Sequence, residues 1–263
     1  MSMVTRIKQK QIAQLINDGK RLDGREFDKH REIKLEIGVI EKAEGSARVF
    51  LGDTEVLVGV KVGIGKPFPD TPSEGVLTVN VELVPLASPM FEPGPPNEDA
   101  IEIARVTDRG IREAKTIDLE KLCLQPGKTV LVVFIDVYVL NHNGNLIDAS
   151  AIAALAALLN TKTSKYEIEE GEVKVKPGYN QLPIRNHPIA VTFAKINDKL
   201  IVDPSLEEEE VMDARLTITI EKEGKICAIQ KGGTGQITKE QIMEAVKTAE
   251  TKSSEIRKMV VKD

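Results

Sequence analysis

The middle of the chain carries the feature that most constrains its fold: an apolar strand, a turn and a helix in succession. Residues 129–140, TVLVVFIDVYVL, are a run of β-branched and aromatic residues that favours a long strand. Residues 149–160, ASAIAALAALLN, are apolar and rich in alanine, which favours a helix. Between them lies the glycine-containing segment NHNGNLID. This order predicts a strand that enters a helix through a tight turn.

A turn of this kind suits an anion. It directs free backbone N–H groups and the positive end of a helix dipole at one point. The segment nevertheless offers no Arg, Lys or Ser, and its candidate residues are Asn143, Asn145 and Leu146. From these residues alone, two interpretations stay open: an anion site that has lost its cation, or a turn without a ligand.

Composition and charge limit the classes of function. The 263 residues suit two modest domains or one large one, and the net charge of −5 argues against a free-standing nucleic-acid binder, which is usually basic. Any nucleic-acid role must therefore rest on a local basic patch. Cys123 and Cys227 lie far apart in apolar contexts, which predicts buried free thiols in a reducing compartment. Because no segment approaches about 18 uncharged apolar residues, we expect a cytoplasmic protein without a membrane span.

The order of predicted elements indicates an α+β fold with two similar modules, each running from strands to a helix. We expect an N-terminal helix and lead-in over residues 1–28, a first module over 29–165 and a second module over 166–263. The lead-in helix is equally suited to packing on its own domain or on a partner. The strands before the first long helix are expected to be antiparallel. The polar residues 161–180 are expected to form a charged crossing or a hairpin.

The sequence contains no complete phosphate-binding or metal-binding motif. VGIGKP and QPGKTV resemble phosphate loops, but Pro67 follows the first Gly-Lys pair and a strand, rather than a helix, follows the second. The three histidines and two cysteines are scattered without metal-ligand spacing, so we predict no metal site and no cofactor. The acidic run LEEEE (206–210) could attract a cation, but such a charge run favours a solvated acidic loop.

A helix over residues 97–117 is the most informative local feature. At about 100° per residue, one face is formed by small and apolar residues, namely Ile103, Val106, Gly110, Ala114 and Ile117. Gly110 in mid-helix suggests close approach to another backbone. Arg105, Arg109 and Arg112 cluster on the opposite side, where three guanidinium groups could grip successive phosphates of one strand. The alternative is a solvated face, with Arg109 or Arg112 paired to a neighbouring carboxylate, which is Asp108, Glu102 or Glu113.

Taken together, several stretches resemble the RNase PH-type 3′→5′ exoribonucleases. The segment from RLDGREF to EVLVGV resembles the opening of that family, with Arg-x-Asp-Gly-Arg at 21–25 and Gly-Ser-Ala at 45–47. The segments TPSEGVLTV to VLVVFIDVYVL and LIVDPSLEEEEVMDARL resemble one branch, the non-catalytic RNase PH-like subunit of the archaeal exosome. The resemblance covers roughly residues 20–255. It implies an RNase PH-like α+β fold with ribosomal-protein-like β-α-β cores.

The resemblance also implies a degenerate active site. Active members hold inorganic phosphate with a Gly-Ser-Arg turn at the start of the helix after this strand, and the matching residues here are Gly144, Asn145 and Leu146. Leucine cannot replace the bidentate cation that arginine offers to phosphate. Active members carry an acidic residue within a Glu-Ala-Asp stretch, where this chain has Arg215, which cannot act as a base. We therefore expect this chain to contain no catalytic residue.

The partners that the resemblance implies are a catalytic RNase PH-like subunit, which alternates with this chain in a hetero-hexameric ring, RNA-binding cap subunits and single-stranded RNA. Basic residues on the matching helix reach RNA beside the partner's active site, which maps to Arg105 and Arg109. Arg112 is added from helical periodicity alone. Phosphorolysis would then occur on the partner and release nucleoside diphosphates. Two rivals stay open: an active exoribonuclease in its own right, and a purely structural ring subunit.

Overall fold

The computed structural model describes residues 3–169 and 172–261. The chain begins with helix α1 (Met3–Asn17) and continues into a first module of strands and helices. In chain order, these are β1 (Ile33–Ile37), β2 (Gly45–Leu51), β3 (Thr54–Gly65), β4 (Val76–Leu83), α2 (Glu98–Glu113), β5 (Cys123–Gln125), β6 (Thr129–Asn141) and α3 (Leu146–Leu159). The predicted succession of strands, helix, strand and helix is confirmed, with β5 as a short addition.

The first sheet has the strand order β1-β2-β3-β6-β4, with β5 paired to β6. Its long strand β6 runs antiparallel to β3 and parallel to β4. The prediction of antiparallel strands before the first long helix is therefore wrong for β4. The chain leaves β4, crosses the sheet through α2 and returns along β6 in the same direction, and a parallel pair requires such a crossover.

The second module repeats the pattern of strands followed by a helix. Its elements are β9 (Ile189–Ile196), β10 (Lys199–Val202), α4 (Leu206–Glu209), β11 (Ala214–Ile220), β12 (Ile226–Gly232) and α5 (Lys239–Val260), after the hairpin β7 (Lys162–Glu169) and β8 (Glu172–Gln181). The sheet is antiparallel, in the order β10-β9-β11-β12. Thr238 begins α5 with a capping box, because its hydroxyl accepts from the Gln241 N–H at 3.2 Å and its own N–H donates to the Gln241 side chain at 3.0 Å.

Helix α3 forms the centre of the hydrophobic core. It packs against β2 and β3 of the first sheet and against β9 of the second, and its residues are buried along almost its whole length. Small side chains allow this close packing. A Cβ atom added to Gly45 in β2 would lie 2.5 Å from the carbonyl oxygen of Ala157, so glycine is required at that contact.

The polar segment after α3 forms the hairpin β7–β8. Of the two predicted alternatives for residues 161–180, the hairpin is therefore confirmed and the charged crossing is not. The hairpin is a separate two-stranded sheet. The proposed boundary between the modules, at residues 165 and 166, falls inside β7, because the strand runs from Lys162 to Glu169.

The N-terminal helix packs on its own chain. Ile12 and Ile16 of α1 are buried in a small apolar cluster with Ala194, Ile196 and Ile201 of the second module. Both cysteines are free, as predicted, but they are only partly buried, because Cys123 and Cys227 lie on β5 and β12 at the margins of their sheets. None of the helices in the described residues combines the length and apolar character needed to cross a membrane.

Candidate functional site

Helix α2 presents the predicted arginine stripe to solvent. Asn97 caps the helix, because its side-chain oxygen accepts from the Ala100 N–H at 2.9 Å. The small and apolar residues that the periodicity placed on one face are buried, namely Ile103, Val106, Gly110, Ala114 and Ile117. Arg105, Arg109 and Arg112 are therefore exposed on the opposite side. The predicted end of the helix at residue 117 is wrong, because α2 ends at Glu113, Lys115 has φ of +50° and Ile117 forms a β-bridge with Ile184.

Gly110 makes a looser contact than its position in the helix suggested. The atoms nearest to a Cβ added there are Cγ2 and Oγ1 of Thr219 on β11, at 3.4 and 3.6 Å. The neighbour is thus a side chain at ordinary van der Waals distance, rather than a backbone in close approach. The expected backbone approach at Gly110 is wrong, because the Thr219 side chain separates α2 from the backbone of β11.

The three arginines line one open groove, which we call the arginine groove. It has a volume of about 850 Å³ and lies between α2, residues 77–79 of β4 and Gln230 of β12. Acidic side chains of α2 also line it, namely Glu98, Glu102, Asp108 and Glu113. A binding role for the arginines therefore depends on which of them these carboxylates already neutralise.

Among the residues that the structure describes, one of the three arginines has a carboxylate partner and two have none. The Arg112 guanidinium forms two hydrogen bonds with the Asp108 carboxylate, at 2.7 and 3.0 Å, and donates to the Leu77 carbonyl at 3.1 Å. The bond to Asp108 raises the pKa of Arg112. By contrast, Arg105 and Arg109 have no ion pair or side-chain hydrogen bond with any residue in the described ranges. The paired, solvated-face interpretation thus applies to Arg112 and not to Arg109.

The strand–turn–helix segment forms the predicted tight turn between β6 and α3. Gly144 has φ of +87° and Asn145 has φ of +52°, both in the left-handed region. The turn is packed against the segment that precedes α4, because a Cβ added to Gly144 would lie 2.5 Å from the Leu206 nitrogen. Glycine is therefore required at position 144 for its backbone conformation and for space.

The polar groups of Asn145 are all directed into the protein. Its backbone N–H donates to Oε1 of Glu209 at 2.9 Å, and its side-chain amide donates to Asp148 and to Asp203, each at 2.8 Å. A serine hydroxyl has one proton and could not donate to both carboxylates. The backbone N–H that could bind an external anion at this turn is therefore already bonded to a carboxylate of the same chain, that of Glu209.

A cavity of about 220 Å³ lies over the turn and brings three of the predicted positions together. It is lined by Asn145, Leu146 and Arg215, with Asp99, Glu102 and Glu209 among the remaining lining residues. The Arg215 guanidinium forms a salt bridge with Glu102 at 2.6 Å. Three carboxylates therefore face one guanidinium group, and Leu146 adds no charge. This balance of charge repels an anion such as phosphate.

The prediction that residues 206–210 form a solvated acidic loop is wrong. Ser205 caps the short helix α4, and Glu208 is buried, where its carboxylate binds the guanidinium of Arg21 at 2.6 and 2.8 Å. Burial raises the pKa of Glu209 to about 7. The run is not solvated because Arg21 and the turn at Asn145 bind two of its carboxylates. The sequence did not indicate this, because both partners are distant from the run along the chain.

Sequence reasoning also missed the arginine that supports the turn. Arg31 donates to the carbonyls of Asn143 at 2.6 Å and Gly144 at 3.3 Å, and to Asp203 at 2.7 Å. Burial opposes ionisation of Asp203, but hydrogen bonds from Arg31 prevail and lower its pKa to about 2. Nothing near Arg31 in the sequence marks it, whereas Arg21 belongs to the Arg-x-Asp-Gly-Arg motif and could have been examined for a buried partner.

Comparison with known families accounts for both modules. The model of domain 1 of the 3′ exoribonuclease (RNase PH) family matches residues 29–164, and the model of domain 2 matches residues 186–252. The chain belongs to the RNase PH family. The family match confirms the fold that the sequence motifs predicted, and the two matched segments leave most of the β7–β8 hairpin between them.

RNase PH relatives with similar sequences extend over the full chain. The chain is 56% identical to the exosome complex component Rrp42 of Thermococcus kodakarensis, covering all of this chain and 97% of the relative. It is 58% identical to the protein of the same name from Pyrococcus horikoshii, over 98% of this chain and 95% of the relative.

Solved structures with the RNase PH fold superpose closely. A chain from the Archaeoglobus fulgidus exosome with RNA bound to the active site is 44% identical, with a TM-score of 0.91 over 99% of this chain and 100% of that chain. A chain of an archaeal exosome core is 41% identical, with a TM-score of 0.87 over 98% of each chain. Rice Rrp46, at 18% identity and a TM-score of 0.70 over 91% of this chain and 98% of that chain, shares the fold.

Proposed function

We propose that this chain is a non-catalytic subunit of an exosome ring, which holds RNA while a catalytic RNase PH-like partner degrades it from the 3′ end with inorganic phosphate. The observation that carries the proposal is the contrast between two neighbouring sites on the chain. Arg105 and Arg109 have no partner among the described residues and lie in an open groove, whereas the turn that should hold phosphate is closed by Glu209.

The relatives support the assembly part of the proposal. Proteins more than half identical over at least 95% of their length carry the name of an exosome complex component, and structures that superpose on this chain come from archaeal exosomes, one of them with RNA bound to its active site. On this basis, the chain alternates with a catalytic paralogue in a hetero-hexameric ring. RNA-binding cap subunits complete the assembly.

Phosphorolysis needs a phosphate ion held next to the RNA phosphodiester, and the cavity over the turn is unsuited to that task. Leu146 provides no cation, and the Arg215 guanidinium is already paired with Glu102. The backbone donor of Asn145 is bonded to Glu209. Two of the groups that catalysis would use are thus replaced, and the third is occupied. The chemistry is therefore assigned to the partner.

The arginine groove suits the backbone of single-stranded RNA. Arg105 and Arg109 are one helical turn apart, so their Cβ atoms are separated by about 5–6 Å and their side chains can contact neighbouring phosphates. Exposed guanidinium groups without a carboxylate partner bind phosphate oxygens without first breaking an ion pair. Arg112 must leave Asp108 to do the same, so we assign it a smaller share of the binding energy. A local pair of cations also reconciles RNA binding with the net charge of −5.

The test of the assignment uses the purified chain and 5′-labelled single-stranded RNA, with and without inorganic phosphate. We expect no shortening of the RNA by the chain alone, and phosphate-dependent shortening once the catalytic paralogue is added. Phosphate-dependent shortening by the chain alone would overturn the proposal. The catalytic activity would then belong to this chain, as the first rival requires.

A further inference from the structure

Glu209 lies where a bound anion would lie in an open turn of this kind. Its Oε1 accepts the Asn145 N–H at 2.9 Å, at the N-terminal end of the 14-residue helix α3. Burial raises the pKa of Glu209, whereas its hydrogen bond from the Asn145 N–H and the charges of Arg215 and Arg31 act in the opposite direction and favour the carboxylate form. The carboxylate therefore receives the three contributions that a helix start offers to a phosphate: a backbone N–H, the positive end of the helix dipole and nearby guanidinium groups.

Helix α4 holds Glu209 in this place. The adjacent Glu208 binds buried Arg21 through both carboxylate oxygens, and Glu208 also accepts the Ser205 N–H at 2.8 Å. Arg21 is fixed in turn by hydrogen bonds to the carbonyls of Val202 and Asp203, each at 2.9 Å. The close contact between Gly144 and the backbone before Leu206 joins the turn to the same segment. Glu209 is thus attached to a rigid support rather than to a mobile loop.

We propose that Glu209 acts as a tethered anion, which fills the anion-binding position of the turn and thereby excludes inorganic phosphate from this chain. The inference deepens the non-catalytic part of the proposed function and rests on it. Loss of the phosphate-binding arginine alone would leave a weak anion site open to solvent. A built-in carboxylate instead gives the site a permanent occupant, so that the chain does not take up phosphate that its catalytic partner uses.

The test compares Glu209→Ala with Glu210→Ala, which removes the same charge from an exposed neighbour in the same run. Binding of inorganic phosphate to each purified chain is measured by isothermal titration calorimetry, with sulfate as a second probe. We expect no saturable binding to the wild type or to Glu210→Ala. Glu209→Ala should bind phosphate saturably, at least about tenfold more tightly than the weakest binding that the titration detects, because a charge-assisted hydrogen bond becomes available.

Two results would overturn the inference: a folded Glu209→Ala chain that does not bind phosphate, or a wild-type chain that binds it as tightly as the variant. If Glu209→Ala unfolds, its thermal unfolding is followed with and without phosphate. Phosphate should then restore a cooperative transition, and a failure to restore it counts against the tethered anion. Since these experiments contain no RNA, their outcome is separate from the RNA-shortening test of the proposed function.

Discussion

The backbone N–H of Asn145 donates a hydrogen bond of 2.9 Å to the side chain of Glu209. This bond joins the start of α3 in the first module to α4 in the second. It also turns the anion-binding end of the helix towards the protein's own carboxylate. A stretch that is suited to an external ligand has thus become part of the contact between the two modules.

The acidic run should contribute very unequally to stability. Glu208→Ala leaves Arg21 buried without its carboxylate partner, and we expect this to lower the free energy of unfolding by about 3–5 kcal/mol. Glu210→Ala, at an exposed position two residues away, should change it by about 0.5 kcal/mol or less. Urea unfolding of the two variants gives the comparison. Equal effects would show that the Arg21–Glu208 pair does not hold α4 in place.

Alanine substitutions at Gly144 and Gly127 distinguish backbone strain from steric crowding. Both glycines have positive φ, but only Gly144 has close neighbours. A Cβ at Gly127 meets nothing within 4 Å, so Gly127→Ala should cost about 1–2 kcal/mol for the left-handed conformation alone. Gly144→Ala adds a clash with the backbone at Leu206, and its cost should reach about 2–5 kcal/mol. Similar unfolding free energies for the two variants would mean that the turn is not packed against α4.

Buried His30 should make the protein sensitive to mild acid. Burial is the main cause that lowers the pKa of His30 to about 4, and no hydrogen-bond partner of its Nε2 atom lies among the described residues. In the unfolded chain, the His30 imidazole takes up a proton near pH 6.5, whereas in the folded chain it does so only near pH 4. The contribution of neutral His30 to the free energy of unfolding is therefore complete above pH 6.5 and decreases as the pH falls towards 4.

The measurement for His30 is the free energy of unfolding between pH 4 and pH 7, for the wild type and for His30→Asn. The wild type should lose more stability than the variant over this range. The slope of its unfolding free energy against pH should exceed that of the variant by an amount that approaches the uptake of one proton on unfolding. The two slopes would be parallel if His30 were protonated in the folded chain, for example through the Asp148 carboxylate 4.0 Å away.

Local patterns predicted most of the fold. The β-branched run of β6 and the alanine-rich α3 each depend on residues near one another in sequence, and the structure confirms both. The parallel pairing of β4 with β6 was missed, because strand periodicity does not reveal the direction of a partner strand.

The site was predictable only in part, for a related reason. Gly144, Asn145, Leu146 and Arg215 were found by family motifs, and the structure brings them to one place. Charge partners that are distant in sequence were not predictable. Glu208 binds Arg21, which lies 187 residues before it in the sequence. The run of glutamates therefore did not indicate that Glu208 and Glu209 are directed into the protein. Even within α2, spacing allowed a carboxylate partner for Arg109 and for Arg112, and only the structure shows that Arg112 has one.

The central claim is that Arg105 and Arg109 hold RNA for a catalytic partner. Its most direct test is the affinity of the ring, assembled with that partner, for single-stranded RNA over a series of salt concentrations. The double variant Arg105→Ala/Arg109→Ala should bind more weakly, and its salt slope should fall by about 1.4 if both arginines contact phosphates of one strand. The control Lys199→Ala/Lys247→Ala, which removes the same charge from β10 and α5, should leave the slope unchanged. An unchanged affinity and slope for the arginine variant would contradict the claim and leave this chain a purely structural subunit.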